Sequence, residues 1–322
     1  MTDLLKVDGL KVHFGGGGKL FGGVKAVVHA VDGVSFSVPK GKTLGIVGES
    51  GSGKTTAALA ILRLVQITAG SVKLGDDEIS ALEGEDLRLA RRRFQIIFQD
   101  PYSSLDPRRR AGEIVREPLD LMNVGDPQER DQAVGELFAQ VGLRPEQRNL
   151  FPHQFSGGQR QRISLARALA TKPELIVCDE PVSALDVAIQ AQILNLMVKL
   201  QKDLGLTYLF ISHDLGVVQY VCDEVAVMYL GRIVEQADRK TIFSHPKHPY
   251  TQALLSAVPS AKLTGDEIKT RVVLKGDPPS PINLPKGCSF ASRCPIAEPS
   301  CHKDRPEMKQ AGDNHIVACH LA

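Results

Sequence analysis

Apolar and polar residues alternate at Leu5, Val7 and Leu10 to Val12, and again through Val34-Ser35-Phe36-Ser37-Val38. A period of two predicts half-buried strands across residues 4 to 47. The apolar run Leu44-Gly45-Ile46-Val47 has no polar alternation and is followed by a helical pattern from Ala57 to Leu64. Gly70 to Leu74 with the turn Gly75-Asp76-Asp77 predicts a hairpin, and Phe94 to Phe98 predicts a buried strand stopped by Pro101. Residues 102 to 172 switch to helical periodicity with scattered Pro and Gly breaks. Continuous apolar runs return at Leu175 to Cys178, Thr207 to Ile211 and Val225 to Met228, with a helix predicted from Asp186 to Leu204. Runs of that kind suit strands covered on both faces. From about residue 245 the chain is rich in proline and cysteine. The pattern predicts an α/β protein with an antiparallel β subdomain, an inserted helical subdomain and a small irregular cysteine-containing C-terminal region. The expected boundaries are 1–100 with 173–245 for the core, 101–172 for the helical insertion and 246–322 for the tail.

Composition narrows the function classes. The 322 residues carry 39 Lys+Arg against 37 Asp+Glu, a net charge of +2, which excludes a protein devoted to coating nucleic acid. The runs Arg91-Arg92-Arg93 and Arg108-Arg109-Arg110 lack interleaved aromatics and read as solvated or locally salt-bridged. No apolar stretch reaches 18 residues, and the start lacks the pattern of a secretory leader. A cytoplasmic chain is expected, so its six cysteines should be thiols or metal ligands.

The chemistry begins at Gly48-Glu49-Ser50-Gly51-Ser52-Gly53-Lys54-Thr55-Thr56, which matches G-x-x-x-x-G-K-[ST] and lies between a predicted strand and a predicted helix. The glycines let successive N–H groups turn toward phosphate oxygens, and the helix adds its positive end. Lys54 would reach the β- and γ-phosphates and the Thr55 hydroxyl would join Mg²⁺. A glycine turn with a capping threonine explains part of this string but not its strand–loop–helix setting. Asp179-Glu180 ends the run Leu175 to Cys178. A carboxylate there is placed to hold Mg²⁺, and Glu180 to act as general base toward water.

Phe155-Ser156-Gly157-Gly158-Gln159 precedes a predicted helix, so Ser156 and the two glycine amides would meet an anion at its N-terminus. Together with Gln99, Ser183-Ala184-Leu185-Asp186 and His213, this set resembles the ATP-binding cassette ATPases. In that resemblance residues 155 to 159 are the signature motif, with Phe155 in place of the usual leucine. Gln99 is the Q-loop residue and a Mg²⁺ ligand beside Thr55 and Asp179, Asp186 closes the D-loop, and His213 is the switch histidine. The resemblance implies a P-loop NTPase with a RecA-like core. It also implies that ATP is clamped between Lys54 of one cassette and Ser156 to Gln159 of a second, and released by hydrolysis at Glu180.

Longer strings resemble one branch, the oligopeptide/dipeptide importer ATPases: Ile97 to Arg108, Cys178 to Asp186, His248-Pro249-Tyr250-Thr251-Gln252-Ala253-Leu254-Leu255, Gly276 to Pro281, Gly287-Cys288 and Arg293-Cys294-Pro295. Within it the chain looks most like the F-type subunit. The resemblance implies a related D-type ATPase or a second copy as partner, two membrane permeases, a solute-binding protein upstream, and a peripheral place on the cytoplasmic face of the inner membrane. Nickel or glutathione as cargo stays open, as does a soluble cassette ATPase acting on nucleic acid, though the chain has one cassette and no sustained heptads.

Cys288, Cys294, Cys301 and Cys319 form a possible ligand set within 32 residues. No pair has the two-to-four spacing usual for zinc. Relatives with this tail resemble iron–sulfur binders, which implies a [4Fe–4S] cluster, with zinc the alternative. Cys178 and Cys222 read as packing residues. Phe14 and Phe21 are candidates for stacking on adenine, or equally core phenylalanines.

Overall fold

The computed structural model describes residues 2–15, 26–257, 274 and 276–322; Phe21 and Gly16 to Gly18 lie outside them. The chain divides into two compact units, neither contiguous in sequence: Met1–Leu5, Val38–Lys42 and Lys73–Phe210, and Lys6–Ser37, Thr43–Val72 and Ile211–Ala322.

In the first unit the strands Thr207–Ser212, Leu175–Asp179 and Phe94–Ile97 are neighbours in that order. Phe94–Ile97 runs parallel to Leu175–Asp179 with Phe94 opposite Leu175. All five residues of Leu175–Asp179 are buried, as the unbroken apolar run required. Phe94–Ile97 is instead buried only at Phe94 and Ile97. It is the last strand of its sheet, so its middle residues are partly open, which corrects the expectation of a fully buried strand. The predicted hairpin forms, with Lys73 opposite Glu78 and Leu74 opposite Asp77.

Three helices, Ala111–Leu121, Pro127–Gln140 and Gly157–Leu169, pack on one another. Val115, Phe138, Ile163 and Leu165 are fully removed from solvent at their contacts, and each such side chain contributes roughly 1.5–3 kcal/mol. The second helix starts at a reciprocal cap, with Asp126 accepting from the Gln128 and Glu129 amides and Glu129 returning to the Asp126 amide. Helix Val187–Leu204 begins at Asp186 and ends at Gly205, whose left-handed φ of 66° closes its last turn. The arginine runs are salt-bridged locally: Arg93 to Asp77 and Glu174, Arg108 to Asp106, and Arg109 to Glu117.

In the second unit one sheet runs Lys309–Gly312, His315–Val317, Arg232–Asp238, Glu224–Tyr229 and Thr43–Val47. Thr43–Val47 is parallel to Glu224–Tyr229, and the remaining pairs are antiparallel. The tail therefore adds strands to the sheet, Val317 pairing with Glu235. The long strands Asp3–Phe14 and Val28–Pro39 build a second sheet with Ala69–Leu74, and their alternating burial matches the alternation in sequence.

Gly45 sits mid-strand where a Cβ would lie 2.7 Å from the Cys222 sulfur, so its lack of a side chain lets the end of helix Leu215–Val221 pack down. Cys222 and Cys178 are buried in these cores, and burial pushes the Cys222 thiol far up, as suits packing residues. The wholly buried Glu235 carboxylate accepts from the Lys247 and His248 amides and pairs with His315 at 2.7 Å. That satisfies a charge that would otherwise be costly to bury.

Candidate nucleotide site

The phosphate loop leaves the buried strand Thr43–Val47 and ends where helix Lys54–Ile61 begins. Its glycines are there for space and for backbone sign. A Cβ on Gly48 would sit 2.2 Å from the Met228 carbonyl oxygen, and one on Gly53 would sit 2.2 Å from that of Ala30. Gly51 and Gly53 have φ of 78° and 102°, the left-handed region that glycine enters without strain. Lys54 is buried, and its ammonium donates to the Gly48 and Glu49 carbonyls at 2.8 and 2.9 Å. The lysine thus folds back along its own loop. Ser50 and Thr55 are exposed, Ser52 is buried and Thr56 is half-buried.

Two contacts on this loop had no role in the sequence reading. The Glu49 amide donates to the Tyr250 hydroxyl at 2.8 Å, and the Glu49 carboxylate is held by both Nη atoms of Arg293 at 2.7 and 3.1 Å. Tyr250 and Arg293 belong to strings that carried the family resemblance, but nothing in those strings says what they touch. His213 follows the buried strand Thr207–Ser212 and is exposed, while Asp214 caps the next helix by accepting from the Gly216 and Val217 amides.

In the first unit, Asp179 is the buried last residue of its strand. Glu180 follows at φ +48°, a conformation that costs a side-chain-bearing residue about 1–3 kcal/mol and concentrates at functional sites. The Gln99 amide donates to the Glu180 carboxylate at 2.9 Å, so these two predicted residues meet. The Glu180 carbonyl accepts from the Ser183 amide and hydroxyl, which ties the following loop to it. Asp186 caps the next helix through the Ile189 amide at 3.0 Å.

Ser156 caps helix Gly157–Leu169 by accepting from the Gln159 amide, and the Gln159 side chain accepts from the Ser156 amide. Gly157 and Gly158 face Leu185 and Ile189, and a Cβ on Gly158 would lie 2.5 Å from the Ile189 side chain. Ser156 is exposed, whereas Phe155 is 3% exposed and packs in the core. Phe14, at the end of its strand, is 45% exposed.

The tail cysteines lie in a folded segment. The Cys288 amide donates to the Cys301 carbonyl at 2.8 Å, and a Cβ on Gly287 would meet that same oxygen at 2.3 Å. Burial pushes the Cys288 thiol up, and the Cys301, Cys319 and Cys294 sulfurs add to it while the Phe290 amide opposes it. Cys294 is raised by burial and by Cys319 and Cys301, against a hydrogen bond from the Ile296 amide. The four thiols thus feel one another. Among the described residues, however, the group of three or more metal-ligating side chains with ligand atoms all within 4.8 Å is His13, His29 and Asp32. Asp32 is there ion-paired to Arg232.

The chain matches the ABC transporter family over residues 31–183 and the oligopeptide/dipeptide transporter C-terminal region over residues 234–301. It is 54% identical over 295 residues to the oligopeptide transport ATP-binding protein AppF of Bacillus subtilis, covering 91% of this chain and 90% of that one. It is 48% identical over 318 residues to a putative peptide import ATP-binding protein of Brucella ovis, covering 99% and 98%. Among solved structures, the ATP-binding cassette MJ0796, a dimer in a post-hydrolysis state bound to ADP and Pi, superposes with a TM-score of 0.64 at 28% identity, covering 73% of this chain and 98% of that one. CbiO1 of Clostridium perfringens, part of the ABC transporter complex CbiONQ, gives a TM-score of 0.64 at 26% identity, covering 76% and 91%. With these relatives, and with residues 48–56 matching G-x-x-x-x-G-K-[ST] at the start of a helix, the chain belongs to the ATP-binding proteins of the ABC transporter family, in the branch that carries the oligopeptide/dipeptide transporter C-terminal region.

Proposed function

We propose that this chain is the ATP-hydrolysing subunit of an importer of di- and oligopeptides, seated on the cytoplasmic face of the inner membrane beside two permeases. It pairs there with a related D-type cassette or a second copy. The observation that carries the hydrolytic part is the Gln99 amide on the Glu180 carboxylate, because an oriented carboxylate at the end of a buried strand suits a general base. Lys54 and the loop amides hold the phosphates, Ser156 to Gln159 of the partner cassette approach the γ-phosphate, and His213 steadies it. Thr55, Asp179 and Gln99 supply hard oxygen donors of the kind Mg²⁺ takes, and the ion would neutralise charge on the phosphates. With its nitrogen committed to Glu180, Gln99 has its oxygen to offer.

The peptide cargo is supported by the names of relatives that align along nearly the whole chain. A peripheral position is consistent with the described residues, in which no helix is long and apolar enough to cross a membrane. Reconstitution with the permeases and binding protein tests the cargo. Peptides should stimulate ATP hydrolysis, and stimulation by nickel or glutathione instead would overturn it.

In the same reading Cys288, Cys294, Cys301 and Cys319 hold a [4Fe–4S] cluster that folds a tail too small to build a core alone. Support comes from the four thiols lying in one folded tail segment, where the Cys288 amide donates to the Cys301 carbonyl at 2.8 Å, and soft thiolate ligands suit iron–sulfur clusters and zinc alike. Anaerobically purified protein should be brown and lose its colour in Cys301→Ser; a colourless, zinc-loaded sample would overturn the assignment.

A further inference from the structure

Glu49 occupies one of the unspecified positions of G-x-x-x-x-G-K-[ST], and a carboxylate there poses two problems for a triphosphate site. It repels polyphosphate, and it is an anion within reach of the lysine that must meet the phosphates. Lys54 already bonds the Glu49 carbonyl at 2.9 Å, so a swing of the Glu49 side chain could draw the ammonium into an internal ion pair.

The structure prevents that swing from a part of the chain 244 residues away. Arg293 takes both Glu49 oxygens in a two-pronged grip, which a planar guanidinium makes and an ammonium does not. The Arg293 side chain is 7% exposed and that of Glu49 30%, so this pair is partly shielded from the solvent screening that weakens surface bridges. The Nη1 that meets Glu49 also lies 3.4 Å from the Tyr229 hydroxyl. Tyr229, Tyr250 and Phe290 pack with ring centroids 4.6 to 5.4 Å apart, and the Tyr250 hydroxyl takes the Glu49 amide. Side chain and backbone of Glu49 are thus both held, by the cluster of Tyr229, Tyr250, Phe290 and Arg293.

We propose that Arg293 is a positioning residue for nucleotide binding: it sequesters the Glu49 carboxylate, so that Lys54 is kept available to phosphate and the loop keeps its shape. The C-terminal region is thereby part of the ATP site, although none of its residues needs to touch ATP. Coupling runs both ways, so bound nucleotide also stabilises the docking of this region. The inference rests on the reading of residues 48–56 as a triphosphate loop.

The test is equilibrium binding of AMP-PNP to the full chain, compared among wild type, Arg293→Gln, Glu49→Gln and the double variant, with a thermal melt for each. Arg293→Gln should weaken binding about tenfold. Glu49→Gln in that background should recover most of the loss, because the freed carboxylate is gone. A role confined to holding the tail folded would not be rescued in this way. Arg293→Lys, which keeps the charge but not the fork, should fall between wild type and Arg293→Gln, and it carries the test if Arg293→Gln does not fold. Unchanged affinity in a folded Arg293 variant, or a double variant as weak as Arg293→Gln, overturns the inference alone. A wild-type chain that binds no nucleotide overturns the function reading and this inference with it.

Discussion

The Gln99 amide and the Glu180 carboxylate meet at 2.9 Å, although 81 residues separate them in sequence. Gln99 follows a half-buried edge strand, and Glu180 follows a fully buried one parallel to it. The parallel register puts Ile97 opposite Cys178, and the residues two further on, Gln99 and Glu180, come to the same place. Sheet geometry therefore aims the side chain proposed as general base.

Glu180→Gln keeps the size and the contact to Gln99 but removes the base. Phosphate release should fall by about 10²- to 10⁴-fold, while ATP binding persists and size-exclusion chromatography with ATP gives a dimer. Normal turnover in this variant would remove Glu180 from the mechanism.

Lys54→Ala deletes the ammonium that donates to the Gly48 and Glu49 carbonyls. ATP affinity should drop by about a hundredfold, in the range for removing one partner of a charged hydrogen-bonded pair. The melting temperature of the nucleotide-free protein should move far less, which calorimetry with and without ATP would separate.

Gly53→Ala and Gly51→Ala distinguish close approach from backbone sign. Both residues have left-handed φ, but a Cβ on Gly51 meets nothing within 4 Å, whereas one on Gly53 lies 2.2 Å from the Ala30 oxygen. Gly51→Ala should cost about 1 kcal/mol, from conformation alone. Gly53→Ala should cost at least about 2 kcal/mol more, since backbone must shift. Urea unfolding of the two variants decides it, and equal losses would show that the contact with Ala30 is easily relieved.

His248 supplies a pH dependence with a definite sign. Its ring is 1% exposed, accepts the Tyr250 amide at Nδ1 and packs on Phe290, and burial lowers its pKa from 6.5 to about 4. Below pH 6.5 the unfolded chain takes up a proton that the folded imidazole refuses. Stability is therefore lost as pH falls from 6.5 toward 4, and the loss levels off below that. Between pH 7 and pH 5 this residue should cost about 2 kcal/mol. Asn can retain the capping acceptor without titrating, so His248→Asn should flatten the stability–pH profile by that amount relative to wild type. Parallel profiles would show that the ring is protonated in place.

What residue order alone determined is whatever one stretch of chain does to itself. Gly48 to Thr56 could be read as a phosphate loop because strand, glycines, lysine and helix are consecutive, and local backbone sterics dictate the shape. The alternation at Leu5 to Val12 and Val34 to Val38, and the unbroken runs at Leu175 to Cys178 and Thr207 to Ile211, forecast burial for the same reason. Tertiary structure decided what depends on distant segments sharing one place. Arg293 on Glu49, Tyr250 on the loop amide and Val317 beside Glu235 are pairings that no local pattern encodes. A propensity or a period extends over a few residues, whereas such a contact is selected by the packing of the whole unit around it.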